Sequence, residues 1–359
     1  MNLLRQNKSL IALLLAAAVL LSTAGCGAGE EPHPEPEEIV PAGPVFKDLA
    51  GHEFTGPVTG ACSVAPSFTM LILSMAPKQV LSVDREFEEQ YLSKNGKSDL
   101  LFYLGLGRVR TLPVTASWRE GVSPRELTVL EPDVIITSAD DPKAEKLGDK
   151  TGCPVFIVSD RSLEDFAASI RALGQLFGKE ELADRMAAFW EETTAAAAAA
   201  AFPEAERPRV YCSGSGGLLT VPGRDTLAAS VVRTAGGVHL GDELSTEKNS
   251  ADGAIEVSAA ELKDWDPDVI ITRHEAEYEE LMTSADWAGL TAVKNGRVYC
   301  QKYYAELEGL TALPGLVWCR LVLGDTYDAA KEEYYSAALD FYELFYHLDP
   351  KEEDFEKLN

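Results

Sequence analysis

Histidine and cysteine are scarce in this chain. Five histidines occur in 359 residues, His33, His52, His239, His274 and His347, and they are scattered. A bare zinc or manganese site needs several imidazoles and carboxylates converging on one ion. That pattern is missing, so no direct metal site is expected and any metal would arrive inside a carrier. Six cysteines occur, none at Cys-x-x-Cys spacing. Those after Cys26 are Cys62, Cys153, Cys212, Cys300 and Cys319, an odd number that cannot pair completely within the chain. Two close apolar runs, Val210-Tyr-Cys212 and Val298-Tyr-Cys300. They read as mostly buried thiols, not a metal cage. Positive charge is also short, with Lys+Arg 32 against Asp+Glu 58 and a net charge of −26. This excludes nucleic acid as an expected partner and reads otherwise as a solvated acidic surface.

Catalytic signatures are absent too. Ser213-Gly-Ser-Gly-Gly217 is glycine-rich but lacks the Lys-Ser/Thr of a phosphate loop, and Gly105-Leu-Gly107 is only a fragment. No Gly-x-Ser-x-Gly elbow anchors a hydrolase triad, and no carboxylate pair is singled out for glycoside hydrolysis. A surface-anchored enzyme is therefore unsupported. A purely structural surface protein would have no filled cleft.

What is present is a repeat on either side of a helical stretch. Ser123-Pro-Arg-Glu126-Leu127 leads after four residues into Pro132-Asp-Val-Ile-Ile-Thr137. Ser258-Ala-Ala-Glu261-Leu262 leads at the same spacing into Pro267-Asp-Val-Ile-Ile-Thr272. Each copy predicts a capped helix, a Pro-Asp turn and a buried strand, one α/β unit of a parallel sheet. Between them, Leu163, Phe166, Ile170, Leu173 and Phe177 recur at helical spacing, followed by a break at Gly178. A second helix over Lys179–Ala201, with Leu182, Met186, Phe189 and Trp190 on one face, would be about 35 Å long and could act as a strut. Two lobes joined by one helix place a cleft between them.

The start of the chain has Arg5 and Lys8, the apolar run Leu10–Leu21 and small residues up to Cys26, which predicts a secretory signal over 1–25. Leu21-Ser-Thr-Ala-Gly25-Cys26 resembles a bacterial lipobox, with Cys26 lipidated. The Glu/Pro-rich stretch to Pro44 reads as a disordered tether (26–44), holding a globular body at the outer face of a membrane. The body is expected as an N-terminal lobe (45–160), a helical segment (161–205) and a C-terminal lobe (206–359). Further expectations are a Phe46–Phe54 hairpin turning at Gly51, a helix over Leu227–Thr234, and Trp287 in a short helix. Asp328–His347 should form an amphipathic helix packed on the second lobe.

The ordered set of these pieces resembles the substrate-binding lipoproteins of ABC importers in the iron-siderophore, haem and cobalamin group. It comprises Asp48-x-x-Gly51, both Pro-Asp-Val-Ile-Ile units, Gly223-Arg-Asp225 before Ala235-Gly-Gly237, Trp287-x-x-Leu290-x-Ala292-Val-Lys-Asn-Gly-Arg-Val298 and the tyrosine-rich end. The resemblance spans nearly all of the chain after the signal. It implies an α/β fold of two lobes with mainly parallel sheets joined by a single long helix (class III periplasmic-binding-protein fold). It also implies ligand in the cleft, little hinge closure, no cofactor beyond metal inside the bound chelate, and no catalysis. The implied partners are an iron(III)-siderophore-type chelate, with haem or a corrinoid as the alternative, and a permease dimer with its cytoplasmic ATPase. A lipid-anchored, extracytoplasmic monomer is expected.

In that group each lobe offers a glutamate to the permease. Glu126 and Glu261 lie one residue beyond the usual register, and the same residues can be read as capping-box carboxylates. Ligand contacts belong on loops after strands, because open α/β sheets bind at strand carboxyl ends. The candidates are Trp118, Arg119, Arg224, Arg273, His274, Tyr303 and Tyr304. Arginines beside aromatics suit a bulky planar or anionic chelate.

Overall fold

The computed structural model describes residues 43–92, 107–244, 253–302 and 305–347. Signal, lipobox and most of the tether lie outside the described residues, as do Tyr303 and Tyr304. The body opens on an antiparallel hairpin, β1 (Val45–Lys47) and β2 (Glu53–Thr55). Gly51 turns it with a φ of +89°, a conformation open to glycine. The buried Asp48 carboxylate holds the turn, accepting the amides of Ala50 (2.9 Å) and His52 (2.8 Å). It also accepts Ile157 N–H at 3.0 Å, which ties the hairpin to the first sheet.

That sheet contains β3 (Ala61–Ser63), β4 (Val80–Asp84), β5 (Val114–Thr115), β6 (Val134–Ser138) and β7 (Val155–Val158), in the order β5-β4-β3-β6-β7 with all pairings parallel. A second sheet is built from β8 (Arg209–Cys212), β10 (Val238–His239), β12 (Val269–Thr272) and β13 (Val298–Cys300), ordered β10-β8-β12-β13 and again parallel. A small antiparallel pair, β9 (Thr220–Pro222) with β11 (Ala254–Glu256), stands beside it. The fold is the expected α/β architecture with two parallel sheets. The repeated Pro-Asp-Val-Ile-Ile runs form the buried strands β6 and β12, continuous apolar runs as strands covered on both faces require.

Between the sheets lie the helices Leu163–Phe177 and Glu180–Ala199, separated at Gly178 (φ +64°). The longer helix buries Ala183, Met186, Ala187 and Trp190; Leu182 and Phe189 are only partly covered. Phe68, Phe166 and Trp190 stack in series, with ring centroids 4.6 and 4.4 Å apart. Trp190 Nε1–H donates to Leu163 C=O at 3.0 Å, satisfying the one polar atom of a fully buried indole.

Two expectations are corrected. Trp287 lies in a run of turns, not a helix, with its indole N–H on Glu280 Oε1 at 3.0 Å. The last helix, Tyr327–Tyr346, does not pack only on the second sheet's side. Phe345 lies against Trp190 and Phe189, its carbonyl accepts the Ser74 hydroxyl, and His347 Nε2 is 3.0 Å from Ser74 C=O. No helix among the described residues is long and apolar enough to cross a membrane.

Candidate functional site

Parallel sheets leave the carboxyl ends of their strands open, and loops there are free to carry chemistry. Here a cavity of about 700 Å³ collects residues from those ends in both sheets. Ser67 follows β3, Glu86 follows β4, Trp118 and Arg119 follow β5, Asp140 follows β6, and Asp160 with Arg161 follows β7. Across from them stand Gly214 and Ser215 after β8, Arg273 after β12, and Glu308. Asp225 and Thr226 complete the wall at the start of the helix Leu227–Thr234, where Thr226 Oγ1 caps Ala229 N–H at 3.3 Å.

Each arginine on this wall already holds a carboxylate. Arg119 Nη1 donates to Glu86 Oε2 at 2.7 Å, and Ser117 Oγ donates to the other Glu86 oxygen at 2.6 Å. Arg161 Nε donates to Asp140 Oδ1 at 2.7 Å. Arg273 Nη1 reaches both oxygens of Glu308, at 2.6 and 2.7 Å. Burial disfavours the Arg119 charge, but Glu86, Asp160 and Glu308 outweigh it and hold its pKa above the ordinary value. Asp160 accepts the Ser67 hydroxyl at 2.5 Å. Burial pushes its carboxyl up, against the opposing pull of Ser67 and Arg119.

A second layer fixes Arg273. Its backbone N–H donates to Ser213 Oγ at 2.8 Å and to Glu277 Oε2 at 3.1 Å, and the Ser213 hydroxyl itself donates to the buried Glu277. The ends of β8 and β12 are thereby tied to the helix Glu275–Thr283, so Arg273 enters the cavity from a rigid base.

The structure therefore brings Trp118, Arg119 and Arg273 to one cavity. It does not bring Arg224 or His274 there. The Arg224 guanidinium donates to the carbonyl of Asp242, at 3.1 Å from Nε, and His274 is exposed at the start of its helix. Trp118 also differs from an open stacking platform. It is 7 % exposed, packed in a cluster with Cys62, Val64, Leu127, Ile135 and Leu147, with the Arg119 guanidinium 5.3 Å from its ring centroid. Among the described lining residues it is the one aromatic, and none of them is His, Cys, Met or Tyr.

The acidic members Glu86, Asp140, Asp160, Asp225 and Glu308, with Arg161 and Ser67, were not expected from the sequence. Position directly after a parallel strand was the available signal for Asp140, Asp160 and Arg161. Of the two glutamates in the repeat, Glu261 forms a full capping box, accepting Ser258 N–H at 2.7 Å while its own N–H donates to Ser258 Oγ at 3.2 Å. Ser123 makes no such cap, and the Glu126 side chain is exposed.

A family model for periplasmic binding proteins matches residues 125–304, which carry both Pro-Asp strands, the helical connection and Arg273. The chain belongs to the periplasmic binding protein family. No curated protein matches this periplasmic binding protein in sequence. Solved structures share its fold. An ABC transporter solute-binding protein from Sulfurospirillum deleyianum superposes with a TM-score of 0.73 at 21 % identity, covering 88 % of this chain and 98 % of that one. The Haemophilus influenzae protein MolA, solved with molybdate, gives 0.70 at 18 % identity, covering 86 % and 99 %. Helicobacter pylori CeuE in a nickel–histidine complex gives 0.69 at 15 % identity, covering 87 % and 98 %. The class III fold carried by such binding proteins is the fold of this chain.

Proposed function

We propose that this periplasmic binding protein captures a metal chelate of the iron(III)-siderophore type in the cavity and delivers it to an ABC permease. The observation that carries the reading is the cavity itself. Its volume of about 700 Å³ lies in the range of small-molecule sites, and it is walled by polar groups from both sheets. A lone oxyanion such as molybdate would leave most of that volume filled with water. A closed chelate brings its own metal ligands, which suits a wall whose described lining residues include no His, Cys, Met or Tyr. The mechanism is binding and transfer, with no bond made or broken. Cys26 would hold the chain to the membrane through lipid, at the extracytoplasmic face where the permease opens.

A corrinoid is the second reading, favoured by the same volume. Haem stands behind it, because iron with open axial positions wants an imidazole, thiolate, thioether or phenolate, and the described lining residues supply none. Tryptophan fluorescence of the purified full-length chain in detergent tests these readings, since Arg119 couples Trp118 to the cavity. Ferric siderophores, cobalamin and haem are titrated in parallel, with the mass of the complex as a check. Saturable quenching by ferric siderophores, lost in Arg273→Ala, is the expected result. Saturation by cobalamin alone would replace the first reading with the second.

A further inference from the structure

We infer that the cavity selects a chelate with no net negative charge, neutral or cationic, and rejects polyanionic ones. This deepens the functional reading above and rests on it. Three arginines suggest an anion site when read alone, but here none stands alone. Arg119 is held by Glu86, Arg161 by Asp140 and Arg273 by Glu308. An anionic ligand that reached any of these guanidinium groups would lie beside the carboxylate already held there. Two further carboxylates, Asp160 and Asp225, lie on the same wall with no lysine or arginine within 4.0 Å among the described residues. The described wall thus carries three positive groups and five negative ones. That balance is negative, in a cleft whose low-dielectric walls concentrate the field.

The wall also shows where such a ligand would bond. Arg119 Nε is a buried N–H with no acceptor among the described residues, a place for an uncharged or metal-bound oxygen of the ligand. Asp160 and Asp225 are acceptors, places for amide N–H, hydroxyl or ammonium groups. Oxygen acceptors combined with donor or ammonium arms, and no excess of carboxylates or phenolates, define the chelate class. Ionised tris-catecholates and polycarboxylates fall outside it.

The test uses three iron(III) chelates of similar bulk and different charge on the full-length chain: monocationic ferrioxamine B, neutral ferrichrome and trianionic ferric enterobactin. The cationic and neutral chelates should bind at least about tenfold more tightly than the trianion at low salt, with the gap narrowing as salt screens the wall. Asp225→Asn, at an exposed position, and Asp160→Asn should each shift the preference toward the trianion by about threefold to tenfold. Equal or tighter binding of the trianion would overturn the charge inference and leave chelate capture standing. An unchanged preference in both folded variants would overturn it as well. Binding of none of the three by either the wild type or the variants would overturn chelate capture itself, and the inference with it.

Discussion

Asp133 and Gly60 hold each other twice. Asp133 N–H donates to Gly60 C=O at 2.9 Å, and Gly60 N–H donates to Asp133 Oδ2 at 2.9 Å. Asp268 and Arg209 repeat the exchange in the second sheet, at 2.9 and 2.8 Å. The aspartate of each Pro-Asp pair thus fastens the start of the neighbouring strand, which sets the register of β3 against β6 and of β8 against β12. Internal similarity in the sequence reflects one physical device used in both halves.

A pH dependence follows from Asp133. Hydrogen bonds from the Thr59 hydroxyl and amide hold its carboxyl below the usual range, with Gly60 N–H adding to them against a small opposing effect of burial. A depressed folded pKa contributes stability above the unfolded pKa, and that contribution is lost as pH falls through the folded value. Asp133→Asn should cost about 1 kcal/mol at neutral pH, discounted for exposure. The gap to wild type should close in acid. Denaturant midpoints taken from pH 7 down to about pH 2 measure this; a gap that stays constant would remove the charge from the explanation.

Trp190 is the keystone of the helical connection. It stacks on Phe166 with an interplanar angle of 6° and meets Phe345 of the last helix at a ring distance of 6.3 Å. Trp190→Ala should destabilise by about 3–5 kcal/mol, as other large aromatic truncations in cores do. Because the indole touches both the preceding helix and the last helix of the chain, one broadened transition should replace a sharp one in calorimetry. Trp190→Phe, which keeps the stack and loses the bond to Leu163, should recover most of the loss.

How much was legible in the sequence can be traced residue by residue. Period and turn chemistry gave the Asp48–Gly51 hairpin, the strands β6 and β12, and the break at Gly178, because each is decided by local backbone requirements. Arg273 was legible because it directly follows a recognisable buried strand. Its partner Glu308 was not: in a chain with 58 acidic residues, no carboxylate announces which arginine it will meet. Arg224 and Trp118 show the converse. Both sit in suitable loops, yet side-chain direction turns the first to Asp242 C=O and buries the second among Leu127, Ile135 and Leu147. Loop position can be read from sequence, whereas side-chain direction depends on packing against residues distant in the chain.

The two repeat glutamates should separate in experiment. Glu261 serves its helix through the capping box, whereas among the described residues the Glu126 carboxylate makes no hydrogen bond or ion pair. Glu261→Ala should therefore lose about 1 kcal/mol, and Glu126→Ala should lie within about 0.5 kcal/mol of wild type. If Glu126 docks on the permease, Glu126→Gln should reduce stimulation of the transporter ATPase without changing ligand affinity. Unaltered stimulation by the Glu126→Gln, Glu261→Gln double variant would remove both residues from the docking surface.

Asp84 sets a dependence of the opposite sign. It is fully buried at the end of β4, accepts the Thr69 hydroxyl at 2.5 Å and caps Phe87 N–H at 2.8 Å. Burial pushes its pKa up to about 6, and the bonds from Thr69 and Phe87 only partly offset that. Between the unfolded value and about 6, the folded protein holds a proton that the unfolded chain has released. Stability should therefore fall as pH rises through that window, by on the order of 3 kcal/mol for this group alone. Asp84→Asn keeps an acceptor for the Phe87 cap and carries no charge, so its stability should stay level where the wild type declines. Because the turn it caps bears Glu86, the partner of Arg119, the variant should also keep ligand binding intact. Unfolding free energies at about pH 4.5 and pH 7 decide the matter: parallel declines in wild type and variant would mean that Asp84 is ionised without penalty.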